Sequence, residues 1–159
     1  MLACLLAFSA AAAPPGAPPE PVRGKLVLKG KALSFSRAWL VRGPDTLEET
    51  RPVAYVILSS VNLSEAIKTC SSIQCVLAAV KEGAVLEPLD DGRGSFWLRV
   101  VSSELPREEQ LSGRRWIPVV NSRERLSGRL EFSYANTGDE ADLSIDAPLV
   151  KEFPVRAER

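Results

Sequence analysis

Ala32-Leu33-Ser34-Phe35-Ser36-Arg37-Ala38-Trp39-Leu40-Val41-Arg42 is the stretch on which the fold turns. Successive side chains of a strand point to opposite faces, so its alternation puts Leu33, Phe35, Arg37, Trp39 and Val41 on one side. The pattern predicts one long strand from Ala32 to Arg42, ended by Gly43-Pro44-Asp45. Upstream, Val22 to Leu28 carries Leu26 and Leu28 on one face with Lys25 and Lys29 on the other, and Lys29-Gly30-Lys31 turns the chain. Downstream, Val53 to Leu58 is a nearly continuous apolar run, the signature of a central strand covered on both faces.

One segment reads as helical. Ile67, Cys70, Ile73, Val76, Leu77 and Val80 recur at helical spacing, with Ser64 as the expected N-cap and Gly83 as the stop. Beyond it, Val85 to Leu89 and Phe96 to Val101 flank Asp90-Asp91-Gly92-Arg93-Gly94, whose Asp-Gly pair signals a hairpin. Ser102 to Ser112 is polar and acidic and reads as a loop. Arg115 to Val120 reads as an edge strand, because Pro118 has no N–H for a central ladder. Leu126 to Tyr134 and Asp142 to Ile145 form a second hairpin, and Leu149 to Val155 a last short strand. The expected fold is therefore mainly β: an antiparallel β-sandwich or partly open barrel of about eight strands with one broken helix.

The start of the chain sets the expected compartment. Leu2 to Phe8 is apolar, Ala10 to Ala13 are small, and Pro14 to Pro21 is proline-rich. That order resembles an export signal, although no Lys or Arg precedes the apolar run. Residues 1–13 are read as a signal peptide, 14–21 as a linker and 22–156 as a single β-rich domain, periplasmic or secreted. The apolar run follows Cys4, which disfavours lipidation there. It also ends far short of the roughly 20 residues of a transmembrane span.

Cys70 and Cys75 are then the pair left in an oxidising compartment. Five residues apart on an unbroken helix, their Cα atoms would lie about 8 to 9 Å apart, beyond the ~7 Å limit of a disulfide. Ser71 with Gln74 reads as a capping box that restarts the helix at Ser72 and lets the sulfurs meet. Two free buried thiols are the alternative. Redox chemistry is disfavoured because its usual spacing is Cys-x-x-Cys.

The chain holds 20 basic and 20 acidic groups and no histidine. Zero net charge argues against nucleic acid as the main partner. The lack of histidine excludes Ser-His-Asp and Cys-His nucleophile systems and every histidine-containing zinc site. Charge is nonetheless uneven. Residues 22–43 carry six bases and no acid, and residues 111–130 carry five arginines against Glu124 alone. Basic strands lying beside acidic ones would account for this, as would a surface that steers a charged partner.

Gly24-Lys-Leu-Val-Leu-Lys-Gly30-Lys31, Phe35-Ser-Arg37-Ala38-Trp39 and Val56-Ile-Leu-Ser-Ser60, with Ser127-Gly128-Arg129-Leu130 and Leu143-Ser-Ile-Asp146-Ala147-Pro148, carry a resemblance. Together they resemble a loosely defined group of small exported bacterial proteins with a G-x-L-x-x-x-G-K hairpin, a His-Ala-Tyr-Ala-like strand and a C-terminal hairpin. Arg37 stands where that group commonly has histidine, so no role tied to that histidine carries over. The resemblance implies export and a β-rich fold, and no chemistry.

Three sets of residues could form a site. Arg37 with Trp39, Trp97 with Arg99, and Arg115 with Trp116 could present guanidinium groups over indole rings to a protein, peptide or glycan. Packing with the Arg stems covering aromatic surface is the plainer reading. Asp139 and Asp142, with their acidic neighbours, are the metal candidates, though their spacing fits no EF-hand and solvated turns explain them as well. No motif calls for a cofactor: Gly24 to Gly30-Lys31 has the wrong spacing for a phosphate loop and Ala32 in place of Ser or Thr. The expectation is an exported, non-enzymatic binding, inhibitory or envelope-associated module, with a small carboxylate-dependent hydrolase or carbohydrate-active enzyme as the alternative.

Overall fold

The computed structural model describes residues 20–155. The signal-peptide reading of 1–13, Cys4 and most of the 14–21 linker lie outside the described residues. Ten strands and two helices occur among those described, in the order β1 (Val22–Leu28), β2 (Lys31–Leu33), β3 (Arg37–Pro44), β4 (Pro52–Ser59), α1 (Ser64–Thr69), α2 (Ile73–Ala79), β5 (Gly83–Pro88), β6 (Ser95–Val101), β7 (Glu109–Arg114), β8 (Trp116–Asn121), β9 (Arg125–Tyr134) and β10 (Asp139–Glu152).

These strands form one curled open sheet, a half-barrel, hinged on β10. The first part of β10 pairs antiparallel with β1 and β9, giving a front wall of β2-β1-β10-β9-β8. Its last residues pair in parallel with β3, starting a back wall of β3-β4-β5-β6-β7. The inner core lies between the walls, with Leu26, Leu40, Leu58, Leu86, Phe96, Leu98, Leu130 and Leu143 all fully buried. A second core lies outside the back wall, where Ile67, Ile73, Val76 and Val80 from the helical segment cover Trp39, Val41, Tyr55, Ile57 and Val85. β4 touches both cores, as its continuous apolar run predicts. No helix among the described residues is long and apolar enough to cross a membrane.

The opening stretch departs from expectation. The predicted strand Ala32–Arg42 is two strands in different walls, separated by Ser34-Phe35-Ser36. Leu33 and Phe35 face the inner core, as do Ala38 and Leu40, whereas Trp39 and Val41 face the helices. The inward phase thus moves from odd to even positions across Ser36. A one-residue slip of this kind exchanges the faces of everything after it, and here it carries the chain from one wall to the other. Upstream, Lys29 and Gly30 both have positive φ (51° and 74°), the two-residue turn that matches strand twist in a tight hairpin.

Four further expectations are corrected. The end of the 102–112 stretch read as loop belongs to β7 (Glu109–Arg114), whose alternating half-buried and exposed pattern is too polar to stand out from its surroundings. The two short strands expected over 142–155 are one fourteen-residue strand, β10, which Pro148 does not interrupt. The helix is broken as predicted, but Ser72 is the cap, its Oγ accepting from Cys75 N–H at 3.2 Å, and not Ser71. Leu63, without a side-chain cap bond, occupies the N-cap position expected for Ser64. The break brings the Cys70 and Cys75 Cα atoms to 5.5 Å and they form a disulfide.

Candidate functional site

The strand ends on one side of the half-barrel border a cleft of about 890 Å³. Its walls come from the end of β3 (Arg42), the start of β4 (Arg51, Pro52), the end of β5 (Glu87, Pro88), the 89–94 loop, the end of β7 (Arg114), β8 and the end of β10. The 89–94 loop is tied to β8 because Trp116 N–H donates to the Gly94 carbonyl at 2.9 Å. Gly94 has φ +68°, and a Cβ there would lie 2.4 Å from the Trp116 carbonyl oxygen, so the close approach requires glycine. Asp91 shapes the same loop by accepting from Arg93 N–H at 2.8 Å, which identifies the acidic hairpin tip as a turn.

Six arginines line the cleft against three carboxylates. Half of the six are held. Arg42 donates to the Arg123 and Ser122 carbonyls at 3.0 and 2.6 Å, Arg123 binds Glu152 with two N–H groups, and Arg51 contacts Asp45 and, at 3.4 Å, Glu87. Arg93, Arg114 and Arg115 are exposed, and among the described residues no carboxylate lies within ion-pairing distance of them. Burial raises the pKa of Glu87, and the nearby Arg51 only partly opposes this. Glu87 and Glu152 therefore each face an arginine, and Asp90 stands exposed in the loop.

Of the sequence-derived site residues, Arg115 and Trp116 border this cleft. Trp116 is buried in the inner core, while Trp39 is buried in the outer one, so these two indoles do not share a face. Arg37 is exposed at the start of β3, its head in water. Trp97 is partly exposed on β6. Arg99 beside it donates to the Leu77 carbonyl at 2.6 Å, which fixes the end of α2 against the back wall. The cation–π contact recorded among the described residues is a different one, Lys151 over Phe153 at 5.5 Å.

The acidic candidates are engaged elsewhere. Asp139 is buried. Burial raises its pKa, but hydrogen bonds from Lys29 N–H and Thr137 outweigh this and hold it low. Asp142 accepts two bonds from Arg129 at 3.0 and 3.1 Å, which lower its pKa. Arg125 binds Asp146 in the same forked way. Among the described residues, no group of three Cys, Asp or Glu converges to hold a metal ion.

Sequence reasoning did not single out Arg42, Arg51, Glu87, Arg93, Arg114 or Arg123. The arginine excess over residues 111–130 was the signal for Arg114 and Arg123 alone. It divides by position: Arg114, Arg115 and Arg123 go to the cleft, and Arg125 and Arg129 to the front wall. Comparison of the chain with protein-family models, with curated proteins and with solved structures finds no match.

Proposed function

We propose that this protein is a binding module that takes an anionic ligand in the cleft beside β8. The observation that carries this reading is the trio Arg93, Arg114 and Arg115, which have no carboxylate partner among the described residues and stand around one concavity. Guanidinium groups bind carboxylates and phosphates through paired N–H donors, and a recess with low-dielectric walls concentrates their field. The cleft falls at the upper end of the roughly 300 to 1,000 Å³ usual for ligand sites. A carboxylate-dependent hydrolase is less well supported, because Glu87 and Glu152 each face an arginine instead of converging on open space.

Export to the periplasm or beyond belongs to the same reading. The Cys70–Cys75 disulfide supports it, since such bonds persist in oxidising compartments, and so does the resemblance to small exported bacterial proteins.

Calorimetric titration with tripolyphosphate tests the proposal. Binding is expected to weaken as salt rises and to drop about tenfold, equivalent to about 1.4 kcal/mol, for each of Arg93→Glu, Arg114→Glu and Arg115→Glu. Arg23→Glu, on the front wall, serves as the control. Equal binding by all four variants would refute the assignment of the cleft.

A further inference from the structure

We infer that the occupant of the cleft is an extended polypeptide segment bearing both carboxylate and apolar side chains, gripped by side chains and not added as a strand to β8. This deepens the anion-binding reading and rests on it. Charge complementarity to Arg93, Arg114 and Arg115 calls for the carboxylates.

The apolar requirement comes from β8. Four large apolar side chains are strongly exposed among the described residues, and two of them, Ile117 (47%) and Val119 (77%), lie on this one short strand next to Arg115. Ile117 also lines the cleft. Apolar surface set beside unpaired cations suits a ligand that alternates the two kinds of group.

The strand edge itself is closed to backbone pairing. Arg115 O accepts from Glu131 N–H on β9, so residues 115 and 117 turn their backbone groups toward β9, and 116 and 118 turn theirs away. The outward Trp116 N–H is already given to Gly94, and Pro118 has none. The ladder then shifts register between Pro118 and Val120. Proline and a bulge are standard devices for blunting an edge. A ligand strand would find neither outward donor in the first half of β8, so recognition falls to side chains.

Other polyanions fit less well. Single-stranded nucleic acid needs exposed rings on which bases stack, and the cleft's aromatic residues, Trp116 and Phe153, are 5% and 7% exposed. An acidic sugar would lack an exposed ring plane for the same reason.

Fluorescence anisotropy on the full chain, with a labelled short peptide of alternating Glu and Val, reads the inference directly. The matched Glu-Ser peptide is expected to bind about tenfold more weakly, and Ile117→Ser should narrow that gap without moving the denaturation midpoint. Pro118→Val, which restores an outward N–H, should leave the Glu-Val affinity unchanged, and a gain of about tenfold would mean that the peptide adds as a strand and would overturn the inference. Suppose tripolyphosphate binds through the three arginines, yet the two peptides bind alike, or oligogalacturonate or oligothymidylate binds more tightly than Glu-Val. The inference then fails while the anion-binding reading stands. If neither tripolyphosphate nor any peptide binds, the anion-binding reading fails and takes the inference with it.

Discussion

The outer face of the front wall and the rim of the cleft use arginine in opposite ways. On the front wall, β10 supplies acids to the basic strands on either side. Lys25 on β1 reaches Glu140 at 2.5 Å, Arg129 on β9 reaches Asp142, and Arg125 reaches Asp146. Each pair is diagonal, two positions from the residue directly opposite, within reach of long side chains. At the cleft, Arg93, Arg114 and Arg115 extend from strand ends and a loop, and Glu131, opposite Arg115 on β9, is already paired with Arg129. Charge paired within a ladder makes a solvated wall with little net field, whereas charge left unpaired at the strand ends can act on a partner.

The largest expected effect removes the floor of the cleft. Trp116→Ala should cost roughly 3 to 5 kcal/mol by leaving a cavity in the inner core, and it should abolish ligand binding. Urea denaturation would show the loss, and a stable variant would mean that the indole is not a structural part of the cleft. Next is the disulfide. Cys75→Ser should lower stability by about 2 kcal/mol, because the closed loop is short. Hydrogen exchange should rise in α1 and α2 and stay unchanged along β9, which would separate the helical layer from the front wall.

A smaller effect sharpens the contrast in pH. Glu87 has a raised pKa in the fold, so its neutral form is favoured there. Its contribution is fully present below its unfolded pKa and is lost as pH rises through the higher folded value. Asp142 and Asp146 are lowered by Arg129 and Arg125, so theirs is present above the unfolded pKa and lost as pH falls through the folded value. Glu87→Gln should therefore stabilise the protein near neutral pH and leave acid denaturation unchanged, as a pH series of melting temperatures would show. The smallest effect is expected from Arg129→Gln. It should return the Asp142 titration, followed by carbon-detected NMR, toward the ordinary carboxylate range with no change in ligand affinity.

The hairpins, the doubly covered β4 and the broken helix were legible in the sequence because each has a local cause: a turn residue, a continuous apolar run, or a cysteine spacing that an intact helix cannot satisfy. The phase slip at Ser36 was hidden because Leu33, Phe35, Trp39 and Val41 hold one phase across Arg37 while Ala38 to Val41 is apolar at every position, so the letters do not say which face turns inward and the exchange depends on which wall each half joins. β7 was missed because Glu109 to Arg114 has only Leu111 as a large apolar residue. For the site, Arg115 and Trp116 were named, but as stacking partners. The cleft unites residues from positions 42 to 155, and such convergence leaves no spacing to read. The excess of arginine over 111–130 was visible, but which of its members find acids is a matter of register.

β10 has a consequence for the time order of folding. It is the last strand, yet it lies between β1 and β9 and also holds the edge of β3, pairing Ile145 with Val22 from the far end of the domain. Contacts so distant in sequence form slowly, because loop closure comes before any reward from pairing. A nascent chain ending before residue 139 has β1 and β3 without their shared neighbour, so no strand pairing joins the two walls. β10 must therefore be synthesised before the half-barrel can close, and until then the polypeptide stays in a form that can still be threaded, bound or degraded.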